Sequence, residues 1–466
     1  VTQEVRFYSE DNEKVNWLIG GFYYQEDMDF NESIYFGTMW RTYIDAFLPG
    51  ALAGVAQAFG LPNSLLFAPG QGNTETATQD NSTMSLFAQV DIQLNEKLNA
   101  ILGVSYIEDE KEVSYNQINT AVFSNLDFVG AGTLGLINAG FPPAQAAILA
   151  QDPAYNPLLP LQALQFIPKF VDIPNSAQDG KSKDDNVDFT AKLSYAFNDA
   201  VNIYGGISTG FKATAWNISR NSLPDATERA ALAAAGNPVG PNTGVGTRFA
   251  NPEEAKVLEL GAKMYLPNGY LNIAYFDQEI KGFQSNTFIG TGFVLANAGS
   301  QSADGFEFDL MISPIESIDL AISGLIMDPI YDSFPASAAG DLSGTVPSNI
   351  PEETFSTTAT WNWSRGQYDG YIRFSHLYSS KVKLSENPEW QALLDTKGNG
   401  RRKQDTLNFS AGVERGAFSL ALWGKNINDD EFLTTIFPAV ADPTSTSFFG
   451  YPNAFKSYGL TLNYTF

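Results

Sequence analysis

Apolar and polar side chains alternate with a period of two along much of the chain. Near the C-terminus Leu460, Leu462 and Tyr464 alternate with threonine and asparagine, and Ile203 and Ile207 alternate with a mostly polar set. Successive side chains of a β-strand point to opposite faces, whereas an α-helix repeats every 3.6 residues. The pattern therefore predicts an antiparallel sheet with one apolar face, and a soluble sheet or a membrane barrel would both show it.

The lengths of the connections separate these two alternatives. Very short polar turns lie at Asn95-Glu96-Lys97, Asn198-Asp199-Ala200, Pro267-Asn268-Gly269, Glu316-Ser317, Arg365-Gly366-Gln367 and Arg415-Gly416-Ala417. Between them lie long connections, at roughly Met28–Asp80, Ser114–Lys183, Thr214–Glu253, Ser285–Ala303, Asp328–Ile350, Lys381–Lys403 and Asp429–Ala454. Short and long connections alternate without exception. This order is typical of a membrane barrel, with tight turns on one side and long loops on the other, and a soluble domain rarely contains so many long loops.

Fifteen strands are predicted along this path. They lie near Thr2–Ser9, Val15–Asp27, Thr83–Leu94, Leu98–Val113, Val187–Phe197, Val201–Ala213, Lys256–Leu266, Tyr270–Phe283, Asp304–Pro314, Ile318–Met327, Thr354–Ser364, Tyr368–Ser380, Thr406–Glu414, Phe418–Asn428 and Phe455–Phe466. Many contain ten residues or more, which is enough to cross a bilayer with the usual tilt. The predicted fold class is all-β, a transmembrane antiparallel up-and-down β-barrel. Closed bacterial barrels have even strand numbers, so the odd count predicts that an N-terminal part is missing.

Composition limits the chemistry that the chain can perform. Its 27 Lys and Arg residues against 52 Asp and Glu residues give a net charge of −25, which argues against nucleic acid as a partner because phosphate binding needs a positive face. Cysteine is absent from the sequence, so disulfides and thiolate metal sites are excluded. The single histidine, His376, is interpreted as a polar strand residue. No nucleophile elbow or phosphate-binding glycine loop is present, so we expect no enzyme activity, no cofactor and no metal site.

Helical membrane segments are not predicted. The most apolar stretches are Ala46–Leu61 and Val129–Ala150, and prolines interrupt both, so neither offers the ~20 uninterrupted apolar residues that a spanning helix needs. Val1–Ser9 has the pattern of a strand rather than of a signal peptide. We therefore expect that processing or truncation has removed whatever came first.

Several features of the strand ends and loops support further, less specific predictions. Short amphipathic helices are predicted at Ala51–Phe59 and Ala144–Gln151, as a cover over the barrel mouth. The acidic runs 108–112 and 429–431 follow strand ends, where simple solvation or a divalent cation shared with lipopolysaccharide would suit carboxylates. Interfacial girdles, or alternatively a sheet core, are indicated by Trp17, Phe22–Tyr24, Trp361, Trp363, Tyr368, Tyr371, Trp423 and Tyr464. The positions expected to face a wet lumen include Asn202, Ser208, Lys212, Thr461 and Asn463.

Five segments carry short motifs in a fixed order. They are Ile203-Tyr204 through Gly210-Phe211-Lys212, Pro252-Glu253-Glu254 with 258–263, Asn297-Ala298-Gly299 with Gly305-Phe306-Glu307, Trp423 through Phe432, and Tyr458 through Phe466. In order and spacing they resemble the C-terminal barrel of the TonB-dependent outer-membrane receptor family. Ile427 and Phe432 depart from its Asn-Leu-x-Asp-x-x-Tyr pattern. Weaker matches at 3–7 and 17–23 extend the likeness over nearly the whole chain.

The resemblance implies a barrel of about 22 strands around a plug. Residues 1–466 would then be the C-terminal portion, with about 15 of the 22 strands, Thr2–Ser9 as the eighth strand, and the plug and the first strands outside this chain. Tyr464 and Phe466 resemble the C-terminal signal that the barrel-assembly machinery reads, and plain anchoring of the last strand at the interface is the alternative.

The resemblance also implies a function and a location. It implies TonB-dependent active uptake of a scarce nutrient, with a ferric siderophore as the default small ligand, across the bacterial outer membrane. The implied partners are outer-membrane lipid and lipopolysaccharide, the barrel-assembly machinery, and the TonB complex through the missing plug. Ligand contacts are expected in the long loops, at residues that the sequence does not identify. A passive porin and a secreted β-rich adhesin or lectin are the alternatives.

Overall fold

Antiparallel strands dominate the computed structural model of the chain, which describes residues 1–10, 14–167, 169–218, 226–236, 248–288, 293–335, 337, 339–439 and 446–466. In chain order the strands are β1 (Thr2–Tyr8), β2 (Val15–Tyr35), β3 (Gly72–Gln93), β4 (Leu98–Asn119), β5 (Lys181–Asn198), β6 (Val201–Lys212), β7 (Ala215–Trp216), β8 (Phe249–Ala250), β9 (Glu253–Leu266), β10 (Gly269–Lys281), β11 (Gln284–Phe288), β12 (Phe293–Asn297), β13 (Ser300–Ile315), β14 (Ile318–Ser333), β15 (Glu353–Arg365), β16 (Tyr368–Lys383), β17 (Arg401–Arg415), β18 (Phe418–Lys425), β19 (Leu433–Pro438), β20 (Phe448–Pro452) and β21 (Ser457–Tyr464).

Fifteen of these strands form one sheet in which neighbours follow chain order. The order is β1-β2-β3-β4-β5-β6-β9-β10-β13-β14-β15-β16-β17-β18-β21, and every pairing is antiparallel. This confirms the predicted up-and-down topology and all fifteen predicted strands. The remaining strands pair in three short hairpins, β7-β8, β11-β12 and β19-β20, which lie in the long connections. Parts of the predicted connections 214–253, 285–303 and 429–454 lie outside the described residues.

The strands differ at their two ends, which we call the turn end and the long-loop end. At the turn end the reversals from β3 onward take two to four residues, and glycine is required where φ is positive, as at Gly366 (φ 65°) and Gly416 (φ 56°). At the long-loop end the strands extend further than predicted. β2 and β3 remain paired from Asp27 and Asp80 out to Tyr35 and Gly72.

The sheet has one apolar and one polar face, as the alternation predicts. On β21, Leu460 and Leu462 pair with Leu422 and Leu420 of β18, while Thr461 between them pairs with Ala421 on the other face. Both β21 leucines are about two-thirds exposed, at 67% and 65%. A row of exposed leucines costs free energy in water, whereas lipid removes that cost. The apolar face is therefore the lipid-facing side of a barrel wall, and we call the opposite side the lumenal face.

The predicted lumenal positions lie together on the polar face. In β6, Asn202 pairs with Lys263 and receives a hydrogen bond of 2.8 Å from the Ser194 hydroxyl. Lys212 forms a 3.3 Å ion pair with Glu253 at the long-loop end of the same face. Strand register likewise places on this face Ser208, Thr461 and Asn463.

Strand register corrects part of the predicted aromatic girdle. Trp17 and Trp361 lie on the apolar face, together with Tyr23, Trp363, Tyr368 and Tyr464. Trp423 lies on the lumenal face instead, where its indole N–H donates a 3.1 Å hydrogen bond to Thr461. The lumenal face also contains Phe22, Tyr24 and Tyr371. A position near a strand end predicts how deep an aromatic ring lies in the membrane. The face of the sheet on which the ring lies depends instead on whether its residue number is odd or even within the strand.

Within the described residues the long connections contain six α-helices. They are α1 (Trp40–Phe47), α2 (Ala51–Ala58), α3 (Phe128–Asn138), α4 (Pro143–Leu149), α5 (Ala226–Ala234) and α6 (Pro388–Thr396). α2 and α4 confirm the two predicted helices. The helices α1 and α2 and the start of α3 pack with neighbouring turns around a buried apolar cluster that includes Ile44, Leu52, Phe67, Phe123 and Phe128, and α4 packs against α3. No helix in the described part of the chain is long and apolar enough to cross a membrane.

Lysines of the neighbouring strand neutralise the first acidic run. Lys183 of β5 contacts Glu108 at 3.0 Å and Glu110 at 2.6 Å, and Lys181 contacts Glu112 at 3.1 Å. The band of exposed apolar side chains on the lipid-facing side is called the apolar belt here. These groups lie just beyond it, where lipid head groups would begin. The structure thus adds cross-strand ion pairs to carboxylates that remain partly exposed to solvent.

The second acidic run is also part of the protein's own contacts. Asp430 accepts hydrogen bonds from the Asp405 backbone N–H at 2.7 Å and from the Thr406 hydroxyl at 3.0 Å. Asp429 forms an ion pair of 3.1 Å with Lys456. These carboxylates hold the connection after β18 against β17 and β21.

Candidate functional site

A cavity of about 340 Å³ lies at the long-loop end of the sheet, and we call it the loop cavity. Five separate segments build it, which are 283–286, Tyr331 at the end of β14, 347–350, 384–394 around the start of α6, and 435–438 with Phe448 in the β19-β20 hairpin. Tyr331 lies on the same face of β14 as Met327 and Leu325, which is the lumenal face. The cavity therefore opens where the lumen meets the long loops.

Local sequence fixes the start of α6, which forms one wall. Asn387 is the N-cap, and its side-chain oxygen accepts hydrogen bonds from the backbone N–H groups of Glu389 at 3.0 Å and Trp390 at 3.1 Å. Pro388 follows at the first helical position, where its missing N–H costs nothing. This capping holds Trp390 toward the cavity and 6.4 Å from the ring of Phe448.

A buried glutamine holds the two ends of this connection together. Gln391 is 6% exposed, and its side-chain oxygen accepts hydrogen bonds of 3.1 Å from the backbone N–H groups of Leu384 and Ser385. Its amide nitrogen donates to Asp395 at 2.9 Å and to the Gly400 carbonyl at 2.7 Å. The segment 384–394, which forms part of the cavity wall, is therefore held in place by hydrogen bonds of Gln391 on the side away from the cavity.

Glu386 connects three of the five segments. One carboxylate oxygen, Oε1, accepts hydrogen bonds from the Tyr331 hydroxyl at 3.2 Å and from the Ser348 backbone N–H at 2.7 Å. Tyr331 is 3% exposed, and this burial, together with the Glu386 carboxylate, raises the pKa of the phenol. Tyr331 therefore stays protonated and donates its hydrogen bond throughout the physiological pH range.

Two acceptor atoms in the cavity wall are buried without a hydrogen-bond partner. They are the second carboxylate oxygen of Glu386, Oε2, and the side-chain oxygen of Gln284. The amide nitrogen of Gln284 is engaged with the Ala213 and Asn251 carbonyls at 2.9 and 3.0 Å, so its orientation is fixed. A buried acceptor without a donor is costly. The arrangement is suited to a ligand that supplies hydrogen-bond donors.

Aromatic and apolar side chains make up much of the rest of the wall, and positive charge is absent from it. The rings are those of Phe283, Tyr331, Trp390, Phe437 and Phe448. Among the described residues that line the cavity none is Lys, Arg or His, and the one charged side chain is Glu386. The site can bind and orient a small molecule, but its residues include no nucleophile paired with a base.

Other concavities differ from the loop cavity in position or in chemistry. A hollow of about 430 Å³ lies on the lumenal face at the height of the membrane, between Tyr204, Glu307 and Asp309. A groove of about 1310 Å³ runs along α3 and is lined largely by glycine, alanine and leucine. Within the described chain no set of three or more His, Asp or Glu side chains is arranged to hold a metal ion.

The two residues predicted as an assembly signal lie at the turn end, opposite the loop cavity. Tyr464 is the last residue of β21, on the apolar face, with its ring 4.7 Å from that of Phe418. Phe466 follows the strand, fully exposed, with its ring 5.0 Å from Tyr464. This position suits a terminal signal and interfacial anchoring equally, so the assembly role stays a prediction.

The residues of the loop cavity were not identified from the sequence. Only the expectation that ligand contacts lie in the long connections points toward them. The one local signal is Asn387-Pro388-Glu389 before Trp390, which marks a capped helix start that presents an aromatic ring.

An up-and-down sheet with a lipid-facing apolar side, tight turns at one end and a ligand-sized cavity at the other defines an outer-membrane β-barrel. The family model described as TonB dependent receptor-like, beta-barrel matches residues 3–427. The chain belongs to the TonB-dependent receptor family, which is a family of outer-membrane proteins.

Solved structures with this fold include several uptake receptors. The ferric yersiniabactin uptake receptor FyuA from Yersinia pestis has a TM-score of 0.64 and 14% identity, covering 100% of this chain and 54% of its own. The siderophore receptor PiuA from Acinetobacter baumannii has a TM-score of 0.57 and 13% identity, covering 99% and 55%. The ferric-catecholate import receptor Fiu from E. coli K12 has a TM-score of 0.54 and 10% identity, covering 100% and 64%.

The chain thus spans between half and two thirds of the length of these three structures. At such low identity the likeness establishes the fold and not the cargo. No match was found among the curated proteins.

Proposed function

We propose that this chain is the barrel portion of a receptor that takes up a scarce nutrient across the bacterial outer membrane. The energy would come from the TonB complex through a plug encoded outside these 466 residues, and the cargo would be a ferric siderophore. The loop cavity carries the proposal. It combines a size suited to a small ligand with aromatic walls at the extracellular mouth of a TonB-dependent barrel.

The similar solved structures support the cargo class, since three of them are described as ferric or siderophore receptors. Another, the copper transporter OprC, has a TM-score of 0.52 and 8% identity, covering 100% of this chain and 65% of its own. Metal uptake is the property that these descriptions share. The other proposed partners are lipopolysaccharide around the apolar belt and the barrel-assembly machinery at the turn end.

Uptake of radioactive iron tests this proposal. Cells lacking the gene are complemented with the full-length protein, starved of iron and supplied with ⁵⁵Fe as siderophore complexes. Uptake should depend on the protein and should stop when tonB is deleted or the proton gradient is collapsed. A constitutively open pore in planar bilayers, with solute entry independent of TonB, would indicate a passive porin instead.

A further inference from the structure

The charge and hydrogen-bonding pattern of the loop cavity restrict which chelates fit it. We propose that the cavity binds a ferric chelate without net negative charge, which donates hydrogen bonds to Glu386 and Gln284. This inference rests on the proposed uptake function and specifies its substrate class. Iron(III) bound by three singly charged hydroxamate groups gives a neutral complex, and one additional ammonium group makes it a cation. Three doubly charged catecholate groups give a complex with three negative charges.

The unpartnered acceptors are the first observation. Glu386 Oε2 and Gln284 Oε1 are both buried in the wall without a donor. An anionic chelate would bring further negative charge beside Glu386, whereas an ammonium or amide N–H satisfies an acceptor without that repulsion. A hydrogen bond from an ammonium group to a carboxylate is stronger than a neutral one.

The absence of compensating positive charge is the second observation. Binding an anion beside Glu386 requires cations, and the described lining contains none. In the sequence, residues 289–292 and 440–445 follow β11 and β19, and they contain no Lys, Arg or His and include Asp442. Arg402 of β17 lies outside the lining, and its guanidinium donates to the Thr434 carbonyl at 3.0 Å and to the carbonyl of the lining residue Asn349 at 3.5 Å.

The aromatic walls are the third observation. The face of an aromatic ring carries partial negative charge, so it attracts cations and apolar groups. Trp390 and Phe448 form one such pair in the wall, and Phe437 contributes a third ring. A hydroxamate chelate exposes methylene chains and amide groups, which these rings accommodate.

Direct titration with two iron chelates of opposite net charge tests the inference. The full-length protein in detergent is titrated with a ferric trihydroxamate that bears one ammonium group and with a ferric tricatecholate, at equal ionic strength. Quenching of tryptophan fluorescence or calorimetry measures the affinity. We expect the trihydroxamate to bind at least about tenfold more tightly. Tighter binding of the tricatecholate would overturn the inference while leaving the uptake function intact.

Substitution of the carboxylate tests the role of Glu386 itself. Glu386→Gln keeps the shape and an acceptor but removes the charge, so affinity for the ammonium-bearing chelate should fall about tenfold. Glu389→Gln is the matched control, because Glu389 is exposed three residues further along, outside the cavity lining, and its substitution changes the charge equally. Equal effects of the two variants would overturn the assignment.

Two further outcomes complete the test. If Glu386→Gln fails to fold because its bonds to Tyr331 and Ser348 are needed, the comparison of the two chelates on the unmodified protein decides alone. If neither chelate binds, the inference is overturned, and ⁵⁵Fe uptake then shows whether the uptake function fails with it or persists with another cargo.

Discussion

An arginine in the middle of the apolar belt should destabilise the barrel far more than an arginine three residues away on the other face. Leu102 lies on the apolar face of β4, 49% exposed, between Val90 of β3 and Ala191 of β5. The first charged side chain above it on that face is Glu108, six residues along the strand. At about 3.4 Å per residue that separation is roughly 20 Å, which is further than an arginine side chain reaches.

The guanidinium of Leu102→Arg would therefore stay in hydrocarbon without a partner. Arginine at the midplane of a membrane barrel costs about 2–4 kcal/mol, which corresponds to a roughly 30- to 900-fold shift in the folding equilibrium. Ser105→Arg is the control. Ser105 lies on the lumenal face opposite Asp188 of β5, which can pair with the new cation, so we expect a change below about 0.5 kcal/mol.

Urea titration of the full-length protein folded into lipid vesicles, followed by tryptophan fluorescence, measures both variants. The midpoint should fall clearly for Leu102→Arg and stay near the unmodified value for Ser105→Arg. If Ser105→Arg destabilised the protein as much as Leu102→Arg, the assignment of lipid-facing and lumenal faces would be wrong for β4 and, through strand register, for the whole sheet.

Two further predictions concern the ends of the strands. Phe466→Ala should slow insertion into vesicles that contain the barrel-assembly machinery, with Phe466→Tyr close to normal; equal slowing without the machinery would show that the ring acts only as an interfacial anchor. Arg248→Met should loosen the segment around α5, because the guanidinium is buried with Nε 3.2 Å from Glu228, and removing one partner of a buried ion pair costs about 3–5 kcal/mol. Limited proteolysis should then cut near α5 faster while the urea midpoint stays unchanged, and unaltered proteolysis would refute a role of this pair in holding the loop.

The sequence predicts the turn ends of the strands closely because tight turns obey local rules. Predicted starts at Leu98, Val201, Ile318, Tyr368 and Phe418 are the observed starts. Each follows a polar turn of two or three residues, and the alternation of apolar side chains begins at once because these residues enter the bilayer.

The long-loop ends of the strands could not be predicted in the same way. β2 was expected to end at Asp27 and continues to Tyr35, and β3 begins at Gly72 rather than Thr83. Outside the bilayer neither face must be apolar, so the period-two signal disappears although backbone pairing continues. The loop cavity could be predicted even less, because it brings together four connections and the end of β14, and their contacts depend on tertiary structure rather than on local patterns.

This division along each strand explains how one barrel can carry a particular binding site. β14 presents Ile322 and Ile326 to lipid and, further along, Tyr331 to the loop cavity. Substitutions separated by more than about 7–10 Å without shared partners have nearly additive effects on stability. Residues of the cavity can therefore change the charge and shape of the site while the apolar belt continues to hold the barrel in the membrane. The proposed cargo preference would accordingly depend on groups such as Glu386, and not on the motifs that identify the family.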